Sequence, residues 1–268
     1  MDSPDRDPDH ALPPTPAAFL RGEPPTDQLG VATGLERLTR EDLRLPQLKL
    51  KQPSSPFGAG VPDGSWFLTT DPEAHALSRG LVLLEARKER ALILPAWGGP
   101  ELVQAACQRI RDETGVEVPP NWEGPVCYSR DRVRPVEREA IPPLAAECAT
   151  CPMTRWRTVE GRRVQDCRES YRLLFWDMGA DLPCVFFARG AAMRATRELL
   201  TNLQVACHRE ELPALAFLFG LSSQRMEGVD GPYYVPVFSR PYPTSRPEEV
   251  PRYAAIRRAC LALDAEED

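Results

Sequence analysis

The chain has 268 residues, 42% of them apolar and 27% charged. These ordinary values exclude global disorder, a collagen-like chain and an uninterrupted coiled coil, and leave room for one large domain or two small ones. The net charge of −6 excludes a uniformly basic nucleic-acid binder, yet residues 128–209 carry 14 basic and 10 acidic groups, so a local anion-binding face is compatible with the acidic total, as is an ordinary solvated face.

Residues 1–38 hold Pro4, Pro8, Pro13, Pro14, Pro16, Pro24 and Pro25 among scattered acids, and are expected to form a disordered acidic arm. A single domain is expected over 39–263. It opens with Leu45-Pro46-Gln47-Leu48-Lys49-Leu50-Lys51, whose alternation suits a strand that Pro46 keeps at an edge. Pro62-Asp63-Gly64 is turn chemistry, and Ser65 to Thr69 reads as an aromatic strand carrying Trp66. Leu81 to Glu85 and Ala91 to Leu94 flank the charged Arg87-Lys88-Glu89-Arg90, giving two paired strands or one long bent strand. Pro100 then opens an amphipathic helix ending near Gly115.

Residues 116–170 are rich in proline and poor in apolar side chains, so they read as an insertion held by something other than a core. Tyr171 to Met178 and Leu182 to Ala188, joined by Gly179-Ala180-Asp181, predict a hairpin. A helix follows over Gly190 to Glu211, then strands over Ala214 to Leu221 and Tyr233 to Phe238, and a last helix over Glu248 to Leu263. The chain ends in the acidic segment Asp264-Ala265-Glu266-Glu267-Asp268. No stretch reaches the roughly 18 apolar residues of a membrane span, and Met1-Asp2-Ser3-Pro4-Asp5 lacks the order of a signal peptide, so a soluble cytoplasmic protein is expected.

Of the eight cysteines, Cys127, Cys148, Cys151 and Cys167 stand in the order C-x20-C-x2-C-x15-C. A C-x2-C pair lets two thiolates converge on one ion, and two distant cysteines complete a tetrahedron, which fits a closed structural Zn2+ site that folds the insertion. Four thiolates also hold iron–sulfur clusters, and unrelated thiols are the remaining reading. Cys107, Cys184, Cys207 and Cys260 fit small buried hydrophobes. A zinc deaminase is excluded, because His208-Arg209-Glu210 lies downstream of Cys148-Ala149-Thr150-Cys151 and no proline precedes Cys148. Neither a Walker A sequence nor a dinucleotide fingerprint is present. No catalytic residue is assigned, and the protein is expected not to be an enzyme.

Single-strand binders need cations for the backbone and aromatic faces for the bases. Only Lys49, Lys51 and Lys88 among the 33 basic residues are lysines, and arginine suits both phosphates and bases, although genome composition gives the same excess. The aromatics read for stacking are Trp66, Tyr128, Trp156 and Tyr171, with Arg130, Arg155, Arg157, Arg162, Arg163 and Arg172 for phosphates; the competing reading of any one aromatic is a core residue.

Leu45-Pro46-Gln47-Leu48-Lys49-Leu50 with Gln52, Cys127-Tyr128-Ser129-Arg130-Asp131, Cys148-Ala149-Thr150-Cys151-Pro152 with Trp156, then Cys167 and Tyr233-Tyr234-Val235-Pro236 together resemble the zinc-containing, OB-fold single-stranded DNA-binding proteins of tailed phages and prophages. The resemblance spans about residues 40–240 and departs at Asp131-Arg132, where such sequences often have Asp-Gly. It implies an α+β, mainly β fold with an OB-like barrel, a four-cysteine zinc insertion and peripheral helices. It also implies sequence-tolerant binding of single-stranded DNA in phage-type replication, recombination or repair, inside a bacterial or phage-infected cell. In the same family reading, the acidic tail, with Asp264, Glu266, Glu267 and Asp268, recruits replication or recombination proteins. The alternatives are a zinc-stabilised protein–protein adaptor or regulator and a metal-dependent nuclease.

Overall fold

The computed structural model describes residues 45–265 apart from 56, 96–98, 123, 138–139, 160, 230 and 245, with backbone alone at 162 and 263–265. The acidic arm and Glu266, Glu267 and Asp268 lie outside the described residues, and so does the side chain of Asp264.

In chain order the elements are β1 (Leu48–Leu50), β2 (Trp66–Leu68), β3 (Asp71–Ala76), β4 (Arg79–Ile93), α1 (Gly99–Thr114), β5 (Pro125–Ser129), β6 (Arg157–Val159) and β7 (Arg162–Val164). There follow β8 (Cys167–Asp177), β9 (Leu182–Ala188), α2 (Ala192–Glu210), β10 (Phe217–Gly228), β11 (Gly231–Phe238), β12 (Tyr242–Pro243) and α3 (Val250–Ala265). The architecture is α+β and mainly β. A seven-stranded sheet runs β11-β10-β4-β8-β9, with β5 added to β4 and β12 to β10, every pairing antiparallel.

The 15-residue β4 is the spine of this curled, half-barrel sheet. Its charged Arg87 to Arg90 stretch is strand, paired along its length with β8, so the two flanking apolar runs belong to one strand with a bulge at Leu84. Bulges bend a strand and strengthen its twist, which suits a sheet that curls.

One face of the sheet packs on the small sheet β1-β2-β3 and on α2. Leu48, Trp66 and Leu68 meet Leu81, Leu83, Leu173, Phe175, Phe186, Phe217 and Phe219 there, with Leu199 and Leu203 from α2. The β1 segment reaches both edges of the curl. Val185 N–H on β9 donates to Pro46 O at 2.9 Å. The Gln52 side chain donates to Tyr234 O at 2.9 Å and accepts from Tyr234 N–H at 2.8 Å on β11. The other face is covered by α3, whose Tyr253, Ile256 and Cys260 pack on Val82, Leu84, Leu174 and Trp176.

A second apolar centre corrects the picture of a coreless insertion. Val118, Val126, Ile141, Leu144, Cys151, Met153 and Cys167 are buried together with Cys107 and Ile110 of α1 and Leu92 and Leu94 from the end of β4 and just beyond it. The segment is short of apolar residues by composition, but α1 and the spine strand supply what it lacks. No helix among the described residues is long and apolar enough to cross a membrane.

Candidate nucleic-acid interface

Period-two alternation sends Arg87, Glu89 and Ala91 of β4 to one side of the sheet. Register places Arg87 beside Arg172 of β8 and Arg172 beside Phe187 of β9; Glu89 lies beside Ser170, and Ala91 beside Tyr128 of β5. These strands floor an open groove of about 860 Å3. Its lining cations are Lys49, Arg87, Arg130, Arg172 and Arg189, and Glu89 is the one acid among its described lining residues. Aromatic side chains on its walls include Phe57, Phe187, Tyr233 and Tyr234.

The floor is organised around Glu89, which is 1% exposed. The Tyr128 hydroxyl donates to Glu89 Oε2 at 2.7 Å, Ser170 Oγ donates to Oε1 at 3.3 Å, and Arg87 Nε lies 3.7 Å from Oε2. Arg87 Nη2 also donates to the Tyr128 hydroxyl at 3.3 Å. Burial first, and then the Glu89 carboxylate, push the Tyr128 phenol up to about 12. Burial lowers the pKa of Arg189, opposed by the charge of Glu89. On the opposite wall Lys49 Nζ sits 4.0 Å from the Phe57 ring centroid, and burial lowers its pKa too. Tyr234 is held there by Gln52 and lies against Gly64, where a Cβ would come within 2.5 Å of the ring; with φ of +80°, Gly64 is fixed as glycine by both backbone and space.

Of the residues read from sequence, Tyr128, Arg130 and Arg172 line the groove. Arg155, Trp156, Arg157 and Arg163 form a separate exposed patch on and beside the β6–β7 hairpin, and the backbone of Arg162 lies in the same hairpin. Trp156 is 58% exposed, with the Arg163 guanidinium 5.2 Å from its centroid. Arg157 donates through Nε and Nη2 to Asp166, at 3.1 Å each. Trp66 is a core residue: it is fully buried, edge-on to Phe186 at 5.4 Å, and offers no face to a ligand. Tyr171 points away from Arg172 into the main core, with Lys88 Nζ 5.7 Å above its ring. Sequence reading missed Lys49, Arg87, Glu89, Arg189, Phe57, Phe187, Tyr233 and Tyr234 as site residues. The usable signal was the period-two spacing of Arg87 and Glu89 within an apparent charge run.

The four spaced cysteines share one neighbourhood. Cys127 and Cys167 flank Leu92 from β5 and β8. Burial raises the pKa of the Cys167 thiol, and the charges of Cys127, Cys151 and Cys148 raise it further. The Cys148–Cys151 turn is tied down by Cys148 N–H to Val133 O at 2.9 Å and by Thr154 Oγ1 to Cys151 O at 2.8 Å. Burial raises the Cys151 thiol as well, and the Thr154 amide donates to Cys151 O at 3.1 Å. Four cysteine sulfurs from two strands and a C-x2-C turn are, by donor type, a set that suits a structural metal. Among the described residues, however, no three His, Cys, Asp or Glu side chains are arranged to hold an ion.

Comparison with family models, with curated proteins and with solved structures returned no match.

Proposed function

We propose that this protein binds single-stranded DNA, tolerant of sequence, with the groove as the principal contact. The observation that supports this reading is the lining itself, five cationic side chains to one acid with aromatic rings on both sides. Glu89 and Glu85 offset Arg87 and Arg172, yet cations still outnumber acids along the groove, which suits a polyanion, and stackable rings beside them suit unpaired bases. The curled sheet closed by β1 is in keeping with an OB-type barrel, and strand faces of such barrels carry single strands. The exposed Trp156 with Arg155, Arg157 and Arg163 provides a second contact for a longer strand.

Cys127, Cys148, Cys151 and Cys167 would hold Zn2+. When bound, the ion would stabilise the thiolates and tie β5 and β8 to the Cys148–Cys151 turn, which is a structural role. The chain's own residues bind the strand.

The test is an anisotropy titration of a labelled oligonucleotide at two salt concentrations. Binding at low salt that weakens steeply as salt rises supports the reading, because phosphate contacts release counterions. Absence of binding at low salt rejects it.

A further inference from the structure

The groove floor contains a feature that a surface for phosphate alone does not require. A carboxylate is buried at its centre, and burying a charge is costly unless it is paired and hydrogen-bonded. Glu89 meets both conditions through Tyr128, Ser170 and Arg87. Its presence nevertheless weakens the floor as a phosphate site, since an anion there repels a phosphate. Resting on the proposed single-strand reading, we infer that Glu89 is a positioning residue that makes this floor a site for bases, holding the Tyr128 ring in place as a platform and keeping phosphates at the groove margins.

The geometry supports this in three respects. The Tyr128 hydroxyl is fixed at both lone-pair and proton positions, donating to Glu89 and accepting from Arg87, which removes ring freedom that stacking would otherwise have to quench. Arg130, just past the end of β5, lines the groove together with the ring. Phe187 stands in the Arg87–Arg172 row, so a flat side chain lies beside the guanidinium pair. The ligand is therefore a strand carrying bases, and a bare phosphate chain of equal charge is the poorer one.

The experiment compares a single-stranded oligonucleotide with an abasic oligonucleotide of equal length, for wild type, Tyr128→Phe and Glu89→Gln. Wild type is expected to prefer the base-bearing strand. Tyr128→Phe keeps the ring and cuts its anchor, so the preference falls about tenfold, within the range of one stacked base, while abasic affinity is unchanged. Glu89→Gln binds the abasic strand about two- to sixfold more tightly, the effect of one charge removed at about 8 Å through an effective dielectric of about 40 to 80. The base-bearing strand gains less, so the preference narrows again. A purely structural role would lower both affinities together in both variants, and that result overturns the inference while leaving the single-strand reading intact. An unchanged preference in folded Tyr128→Phe overturns it as well. If wild type binds neither strand, both readings fall.

Discussion

Tyr253 shows how a single side chain couples packing to pH. Its ring is buried against Trp176 with centroids 6.3 Å apart, and its hydroxyl donates to the Glu249 carboxylate one turn earlier. That hydrogen bond, helped by Arg246, holds the Glu249 carboxyl below its ordinary range. A carboxyl whose folded pKa is depressed stabilises the fold above its unfolded value of about 4.3, and the contribution disappears as pH falls through the lower folded value. Tyr253→Phe is therefore expected to cost about 1 kcal/mol at pH 6, a charge-assisted bond discounted for partial solvent access. The gap between the two thermal melting curves should close as pH falls below the unfolded value of about 4.3 and through the lower folded one. A gap that stays constant over that interval would mean that the partner of the hydroxyl is not an ionised carboxylate.

Elements with a strong local signal were legible, and elements defined by distant pairing were not. Gly179-Ala180-Asp181 between two apolar runs gave the β8–β9 hairpin, and the periodic apolar face of residues 190–211 gave α2, which buries Thr196, Leu199 and Leu203. The strands β3, β5, β6 and β7 are short or polar, and only their pairing makes them strands. The groove was partly legible for the same reason: Tyr128, Arg130 and Arg172 stood out locally, but Tyr233 and Tyr234 join them only because Gln52 clamps β11 from 182 residues away. The cysteine lobe is the element where the proposed metal would bear on folding. It shares its apolar centre with α1 and β4, so replacing one proposed ligand should loosen the lobe without collapsing the main sheet. Cys151→Ser is expected to reduce zinc to well below one ion per chain by elemental analysis, and to raise amide exchange over 125–167 while β9, β10 and α2 stay protected. Uniform loss of protection would show that the lobe is not a separate folding unit.

At the scale of the molecule, charge is distributed so that an acidic protein presents two cationic surfaces, the groove and the hairpin patch. Their separate contributions to the proposed single-strand binding can be read from its salt dependence. Each phosphate neutralised on a single strand contributes about −0.7 to the slope of log affinity against log salt. If the five groove cations were the whole contact, the slope could not be steeper than about −3.5. A short oligonucleotide that fills only the groove should stay within that bound. A longer one that also reaches Arg155, Arg157 and Arg163 should exceed it. Trp156→Ala removes an exposed stacking face that neutralises no phosphate, so it should weaken the longer oligonucleotide by about 1–3 kcal/mol and leave the slope unchanged. Replacing Arg155 and Arg157 with alanine should flatten the slope by about 1.4 for the long strand and not for the short one. Equal effects of the arginine changes on both lengths would place the hairpin patch and the groove in one contact, and no effect on either would leave the groove as the entire binding surface.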